Sequence, residues 1–146
     1  MKRTATNTDA KRGADLLEGE LTRRIIKCFY RVYDALGYGF LESVYQQALL
    51  WELRAEGLRV ESEAVVEAWY SGRKIGRFRV DLLVEGRVIL EIKASEILPI
   101  AGRKKLLNYL RSSAVEVGLL LHFGPKPKFQ RLIYTNEKKA HRSRSE

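Results

Sequence analysis

One cysteine, Cys28, and two histidines are the only thiol and imidazole groups in the sequence. A single cysteine excludes an intramolecular disulfide and any cysteine-based zinc site, and it makes the cytoplasm the expected compartment. No apolar run approaches the ~20 residues that cross a bilayer. The longest runs are of the kind at 117–121, so no membrane partner is expected. The first residues, MKRTATNTDAKRGAD, lack an apolar segment, which predicts no secretory signal. There is no internal repeat and no long low-complexity linker. There is also no phosphate-binding loop, no Gly-rich dinucleotide turn and no Ser-His-Asp arrangement. Nucleotide-dependent enzymes and serine hydrolases are thereby disfavoured.

The chain has 146 residues, 45% hydrophobic and 31% charged, the profile of one ordinary globular domain. A chain of this size buries about two-thirds of its unfolded surface and needs no metal or disulfide staple to fold. The net charge is +9, and it is unevenly placed. Residues 1–15 carry four basic and two acidic groups, and residues 125–146 carry seven and two. Basic termini of this kind attract phosphate backbones without reading sequence; a solubilising role is the alternative. The expected layout is a disordered basic arm at 1–15, a folded domain at 16–136 and a flexible basic tail at 137–146.

Leu17, Leu21, Ile25, Cys28, Val32 and Leu36 recur at helical spacing and predict a first helix, ended by Gly37 and Gly39. A second is predicted at 41–56, with Leu41, Val44, Tyr45, Ala48, Leu49 and Leu53 on its buried side. The period then shortens to two. Residues 58–63 and 65–70 read as extended, Ser71-Gly72 as a turn, and 75–84 and 88–94 as strands around Glu85-Gly86. A short basic helix at 101–113 has Leu106, Leu107 and Leu110 as its core side. Residues 117–123 read as a strand buried on both faces, and 129–135 as a last strand at an edge. The order α-α-β-β-β-α-β-β describes an α/β fold with a mixed sheet.

Residues 78–95, FRVDLLVEGRVILEIKAS, place Asp81, Glu91 and Lys93 inside apolar strands, where charge is costly without a partner or a task. A three-residue loop, Glu85-Gly86-Arg87, sets Val84 opposite Val88, Leu82 opposite Leu90 and Val80 opposite Ile92. Those apolar residues then share one face, and Asp81 and Glu91 meet on the other with Lys93 two residues on. A two-residue loop would separate the carboxylates. Two adjacent carboxylates repel unless a cation lies between them or one is protonated. Oxygen ligands of this kind suit Mg²⁺ or Mn²⁺, and a nearby lysine can orient a water or stabilise phosphate charge. The alternative is a cross-strand salt bridge of Glu91 with Lys93 or Arg79.

Gly39, Glu42 and Tyr45 open the second helix. Glu42 either complements the helix dipole or serves as a third acid, and Tyr45 lies on the same face as a core or supporting residue. Cys28 lies on an apolar stripe and reads as a core residue, and His122 at a strand end reads as structural. Trp51 and Trp69 read as packing aromatics.

The G-x-x-E-x-x-Y pattern at 39–45, D-L-L-V at 81–84 and E-I-K-A at 91–94 resemble the GxxExxY protein family of the PD-(D/E)XK nuclease superfamily. Further similar segments are Tyr70-x-Gly72 through Gly76, L-L-N-Y-L at 106–110, V-G-L-L at 117–120 and Phe123-Gly124. The resemblance covers about residues 18–134. It implies a restriction-endonuclease-like core, a mixed sheet flanked by helices, and phosphodiester hydrolysis with Mg²⁺ or Mn²⁺. It further implies Asp81 and Glu91 as metal ligands joined by the Ile92 backbone carbonyl, Lys93 as catalytic lysine and Glu42 as a helix-borne catalytic acid. One position departs: Lys105 stands where the family usually carries glutamine. A lysine there can bind phosphate or place its own ammonium in the metal position.

The leading expectation is a metal-dependent nuclease acting on DNA, with Arg103, Lys104, Lys105 and Tyr109 meeting the backbone and a homodimer as one possible assembly. The alternatives are a non-catalytic nucleic-acid-binding module of the same fold and an oligomeric interaction domain with a structural acidic cluster.

Overall fold

The computed structural model describes residues 16–139, so the arm expected at 1–15 and the last seven residues of the expected tail lie outside the described residues. Helix α1 spans Gly19–Leu36 and α2 spans Glu42–Ala55. Strands β1 (Val60–Tyr70), β2 (Arg73–Val84) and β3 (Val88–Lys93) follow. Helix α3 (Ile100–Ser112) then crosses to β4 (Val117–Phe123), and β5 (Pro127–Ile133) closes the sheet. The five strands lie in sequence order, with β3 and β4 parallel and the other neighbours antiparallel. This is the expected mixed sheet flanked by helices.

The two hairpins show why the chain turns where it does. Ser71 and Gly72 both take positive φ, 49° and 77°, the two-residue turn whose twist matches its strands. Glu85 and Gly86, at 54° and 65°, set Val84 opposite Val88 and Leu82 opposite Leu90, the register expected for the three-residue loop.

Two buried clusters sandwich the sheet. α1 and α2 cover one face through Ile25, Phe29, Tyr45 and Leu49, packed on Leu82, Leu90, Ile92 and Leu121. α3 covers the other through Leu106 and Leu110, packed on Ile89 and Leu120. The approach of α3 depends on Gly118, where a Cβ would lie 2.7 Å from the Leu106 Cδ1. Cys28 is buried in the first cluster, and burial pushes its thiol up to about 11, as suits an inert core residue.

Several sequence expectations are corrected. Val80 does not share the cluster of Leu82; it packs with Ala64, Val66 and Leu106 on the α3 side. The segments at 58–63 and 65–70 are one strand, β1, interrupted at Glu63, whose φ of 54° is left-handed. Leu41 and Val44 are exposed, because α2 turns only the side of Tyr45, Leu49 and Leu53 inward. Trp51 projects to solvent at 66% exposure rather than packing. The fold also runs past 136. A 3₁₀ turn at Asn136–Lys138 brings in Lys139, which is fully buried and donates to the Ser113 and Val115 carbonyls at 3.0 and 2.8 Å. Among the described residues, no helix is long and apolar enough to cross a membrane.

Candidate active site

β2 pairs with β1 along its whole length but with β3 only from Leu82 to Val84. Beyond Leu82 the two strands part, and the site lies in the fork. Asp81 occupies one prong, and Glu91, Ile92 and Lys93 occupy the other. The Ile92 N–H, freed from the ladder, donates to Asp81 Oδ2 at 2.7 Å. The carbonyl of a strand residue points to the same edge as its N–H, so the Ile92 carbonyl also faces the fork.

Glu91 is 3% exposed and its Oε1 has no hydrogen-bond partner. No ion pair joins Asp81 or Glu91 to Lys93, Arg79 or Lys105 among the described residues, so the salt-bridge alternative is not what holds this cluster. Backbone N–H groups reach the carboxylates but no cation does among the described residues, and the acidities of both are shifted upward. Burial and then the Asp81 charge push Glu91 up to about 7, against the opposing pull of Lys105, the Asp81 amide and Lys93. Asp81 is also raised, by burial first, with Glu42 and Glu63 adding negative charge against the Ile92 N–H.

The sign of the resulting pH dependence follows from Glu91. Its folded value, about 7, exceeds its ordinary 4.5, so between them the folded state holds a proton that the unfolded chain has released. The contribution is complete below about pH 4.5 and is lost as pH rises through about 7, for a total of about 3 kcal/mol. Asp81 adds in the same direction. In EDTA, the melting temperature is expected to fall across this interval, and Glu91→Gln should flatten the slope. Added Mg²⁺ should stabilise most at the alkaline end, where both ligands are ionised. A flat profile for the unsubstituted protein in EDTA would refute this account of Glu91.

The donor set fits a hard divalent cation. Two carboxylates and a carbonyl converge, one buried carboxylate oxygen is unpartnered, and Mg²⁺ commonly takes one or two carboxylates and keeps several waters. Among the described residues, no three His, Cys, Asp or Glu side chains form a metal-binding group. Glu42, exposed in the first turn of α2, adds its negative charge to the field at Asp81.

Other expected site residues fall in different places. The Lys93 stem lies against Gly102 of α3, where a Cβ would sit 3.2 Å from Lys93 Cε. Lys105 lies beside Tyr109, its Nζ 5.8 Å from the ring centroid, and the Tyr109 hydroxyl raises its pKa, with Glu91 and Asp81 adding to the effect. Its ammonium is thus a neighbour of the acidic pair, outside ion-pair contact. Tyr109 stacks on Phe78 at 4.0 Å between centroids, so one ring face is not available to a base. Arg103 and Lys104 are exposed on α3. Tyr45 is fully buried beneath the loop that precedes Glu42, its hydroxyl hydrogen-bonded to the Gly37 carbonyl and the Phe40 N–H. His122 is buried and its Nε2 donates to the Ser95 carbonyl at 2.8 Å.

Sequence reasoning missed three contributors. Gln46, one turn after Glu42, donates to Glu63 Oε2 at 2.7 Å and to the Asp81 carbonyl at 3.1 Å. It ties α2 to both strands at the fork. Glu63 falls in the gap between the Ser62–Leu82 and Ala64–Val80 pairs; the break in alternation at 63–64 was its signal. Gly102 carried none, because its importance lies in the lysine it accommodates.

No curated protein shows significant similarity to the chain. The crystal structure of SSO0001 resembles it with a TM-score of 0.51 at 22% identity, which supports the fold. The match covers 81% of this chain and 59% of that one, so the chain spans about three-fifths of that protein's length. Residues 19–132, nearly the whole described region, match the PD-(D/E)XK nuclease superfamily, and the chain belongs to that superfamily.

Proposed function

We propose that the protein is a divalent-metal-dependent nuclease of the GxxExxY type that hydrolyses phosphodiester bonds in DNA. The observation that carries this reading is the buried Glu91, with one carboxylate oxygen unpartnered, beside the half-buried Asp81 at the strand fork. Lys93 lies near them and makes no ion pair to either acid among the described residues. Holding two carboxylates close together without a cation between them costs stability, and a bound cation would remove that cost.

Asp81, Glu91 and the Ile92 carbonyl would hold Mg²⁺ or Mn²⁺. Such an ion, when bound, would supply acidification of a water and neutralisation of charge on the scissile phosphate. Lys93, seated against Gly102, presents its ammonium to the developing phosphate charge or orients the attacking water. Glu42 keeps Asp81 in a negative field, while Gln46 and Glu63 hold the Asp81 backbone in place. Arg103, Lys104 and Lys105 contribute positive charge on the α3 side for the nucleic-acid backbone.

The test is incubation of labelled single- and double-stranded DNA and RNA with Mg²⁺, Mn²⁺ or EDTA. Metal-dependent cutting of DNA is the expected result; folded protein that cuts nothing would refute it. One observation favours a second reading, a binding module without turnover: Lys105 brings a fixed cation to the acidic pair. In that case binding needs no metal, and Lys105→Gln is expected to strengthen metal binding.

A further inference from the structure

Past the fork, β1 and β2 continue as a two-stranded ribbon to the turn at Ser71-Gly72. One side of it is covered. Ala64, Val66 and Val80 join the cluster around Leu106 and Leu110, and Phe78 stacks on Tyr109. Successive strand residues point to opposite faces, so Arg77 and Arg79 point away from α3, and both are exposed. Ile75, 64% exposed, and Val65, 48% exposed, accompany them.

The charge of this segment is one-sided. Residues 64–80 hold Arg73, Lys74, Arg77 and Arg79 against a single acid, Glu67. That acid is engaged by Lys74 at 3.1 Å, and Lys74 also lies 5.7 Å from the Trp69 ring centroid. Arg73, Arg77 and Arg79 make no ion pair with any described residue. Packing within the domain gives no reason for three unpaired guanidinium groups on one projecting ribbon.

We infer that the outer face of this ribbon, through Arg77 and Arg79, binds the phosphate backbone of duplex DNA beside the bond to be cut. This rests on the nuclease reading and extends it by a second contact surface, separate from α3. Charge complementarity selects the occupant, because guanidinium forks match phosphate oxygens in pairs. A second copy of this chain is a poor occupant, since its net charge is also +9. Arg79 and Arg77 precede Asp81 along β2 by two and four residues, about 7 and 13 Å of strand. That distance corresponds to about two to four base pairs of duplex. A two-stranded ribbon also fits the width of the major groove, which admits one.

The test is fluorescence anisotropy of a short labelled DNA duplex in EDTA across a salt series, so that cleavage plays no part. Arg77→Ala/Arg79→Ala is expected to weaken binding about tenfold or more near 0.1 M salt and to lower the log–log salt slope by about 2. Arg77→Lys/Arg79→Lys should keep most of the affinity, and Arg77→Glu/Arg79→Glu should bind worst. Unchanged affinity and slope in the Ala and Glu variants would overturn the inference. So would a change of oligomeric state in light scattering with DNA affinity intact, which would make the face a self-association surface. Failure of the nuclease reading looks different: the unsubstituted protein binds duplex through Arg77 and Arg79 but cuts nothing with any metal. If the unsubstituted protein cuts while the Glu variant binds normally, the ribbon inference alone falls.

Discussion

Asp81→Asn is expected to lower metal-dependent cleavage by about three orders of magnitude or more, a loss of about 4 kcal/mol of transition-state stabilisation. The substitution keeps the shape and takes away the charge. An asparagine oxygen can still accept the Ile92 N–H that now meets Asp81 Oδ2 at 2.7 Å, so β3 keeps its support. The fold should tolerate the change well. Burial, Glu42 and Glu63 all disfavour ionised Asp81, and a neutral group escapes that penalty. Glu91 loses the second-largest cause of its raised pKa, so it should ionise at lower pH. The expected signature is therefore lost cleavage, weakened Mg²⁺ or Mn²⁺ binding and an unchanged or higher melting temperature, measured on one preparation. Lys93→Ala should also lose cleavage but retain metal binding. An Asp81→Asn protein that cuts as fast as the unsubstituted one would remove Asp81 from the machinery.

Tyr45→Ala is expected to destabilise the fold by about 3–5 kcal/mol, the range for truncating a buried aromatic. Tyr45 is fully buried and its ring stacks on Phe123 at 4.1 Å, with Phe40 edge-on at 6.0 Å. Its hydroxyl donates to the Gly37 carbonyl at 2.5 Å and accepts the Phe40 N–H at 3.2 Å. Gly37 and Gly39 have φ of 73° and 117°, so the turn between α1 and α2 forms few regular hydrogen bonds of its own. The hydroxyl supplies two, and Glu42 begins the next helix. Tyr45→Phe keeps the ring and removes only these bonds, for an expected cost of about 1–2 kcal/mol. Urea unfolding of the two variants separates the contributions. If Tyr45→Phe costs as much as Tyr45→Ala, the hydroxyl rather than the stacking dominates, and the packing account is wrong.

Local chemistry carries its instructions within a few residues, and those parts of the molecule were legible. The apolar stripe from Leu21 to Val32 builds α1, and the change to alternation after Gly57 announces the strands. The Glu85-Gly86-Arg87 loop sets the register of β2 on β3, because only one choice segregates the hydrophobic residues. That same register brings Asp81 and Glu91 to neighbouring strands, so the acidic pair could be read before any coordinates.

The remainder depends on segments far apart in sequence. Whether Glu91 had a cation in contact could not be decided from spacing. Lys93, Arg79 and Lys105 were all eligible; Lys93 lies along Gly102 of α3, Lys105 lies beside Tyr109, and Arg79 lies on the opposite face of the ribbon, so none forms an ion pair with Glu91. Gln46 matters only because α2 lies across the fork, and Gly102 only because Lys93 passes over it. Glu63 breaks β1 at the level where β2 leaves β3, and Val80 changes sides there, which alternation along a single strand does not foresee. Lys139 is buried because Ser113 and Val115, distant in sequence, offer their carbonyls to its ammonium. By itself the sequence determined the elements, their order, the hairpin register and the residue types at the centre, since periodicity and turn preference act over short spans. Only the tertiary structure decided which charges are compensated, because burial and through-space distance do not exist until distant segments pack.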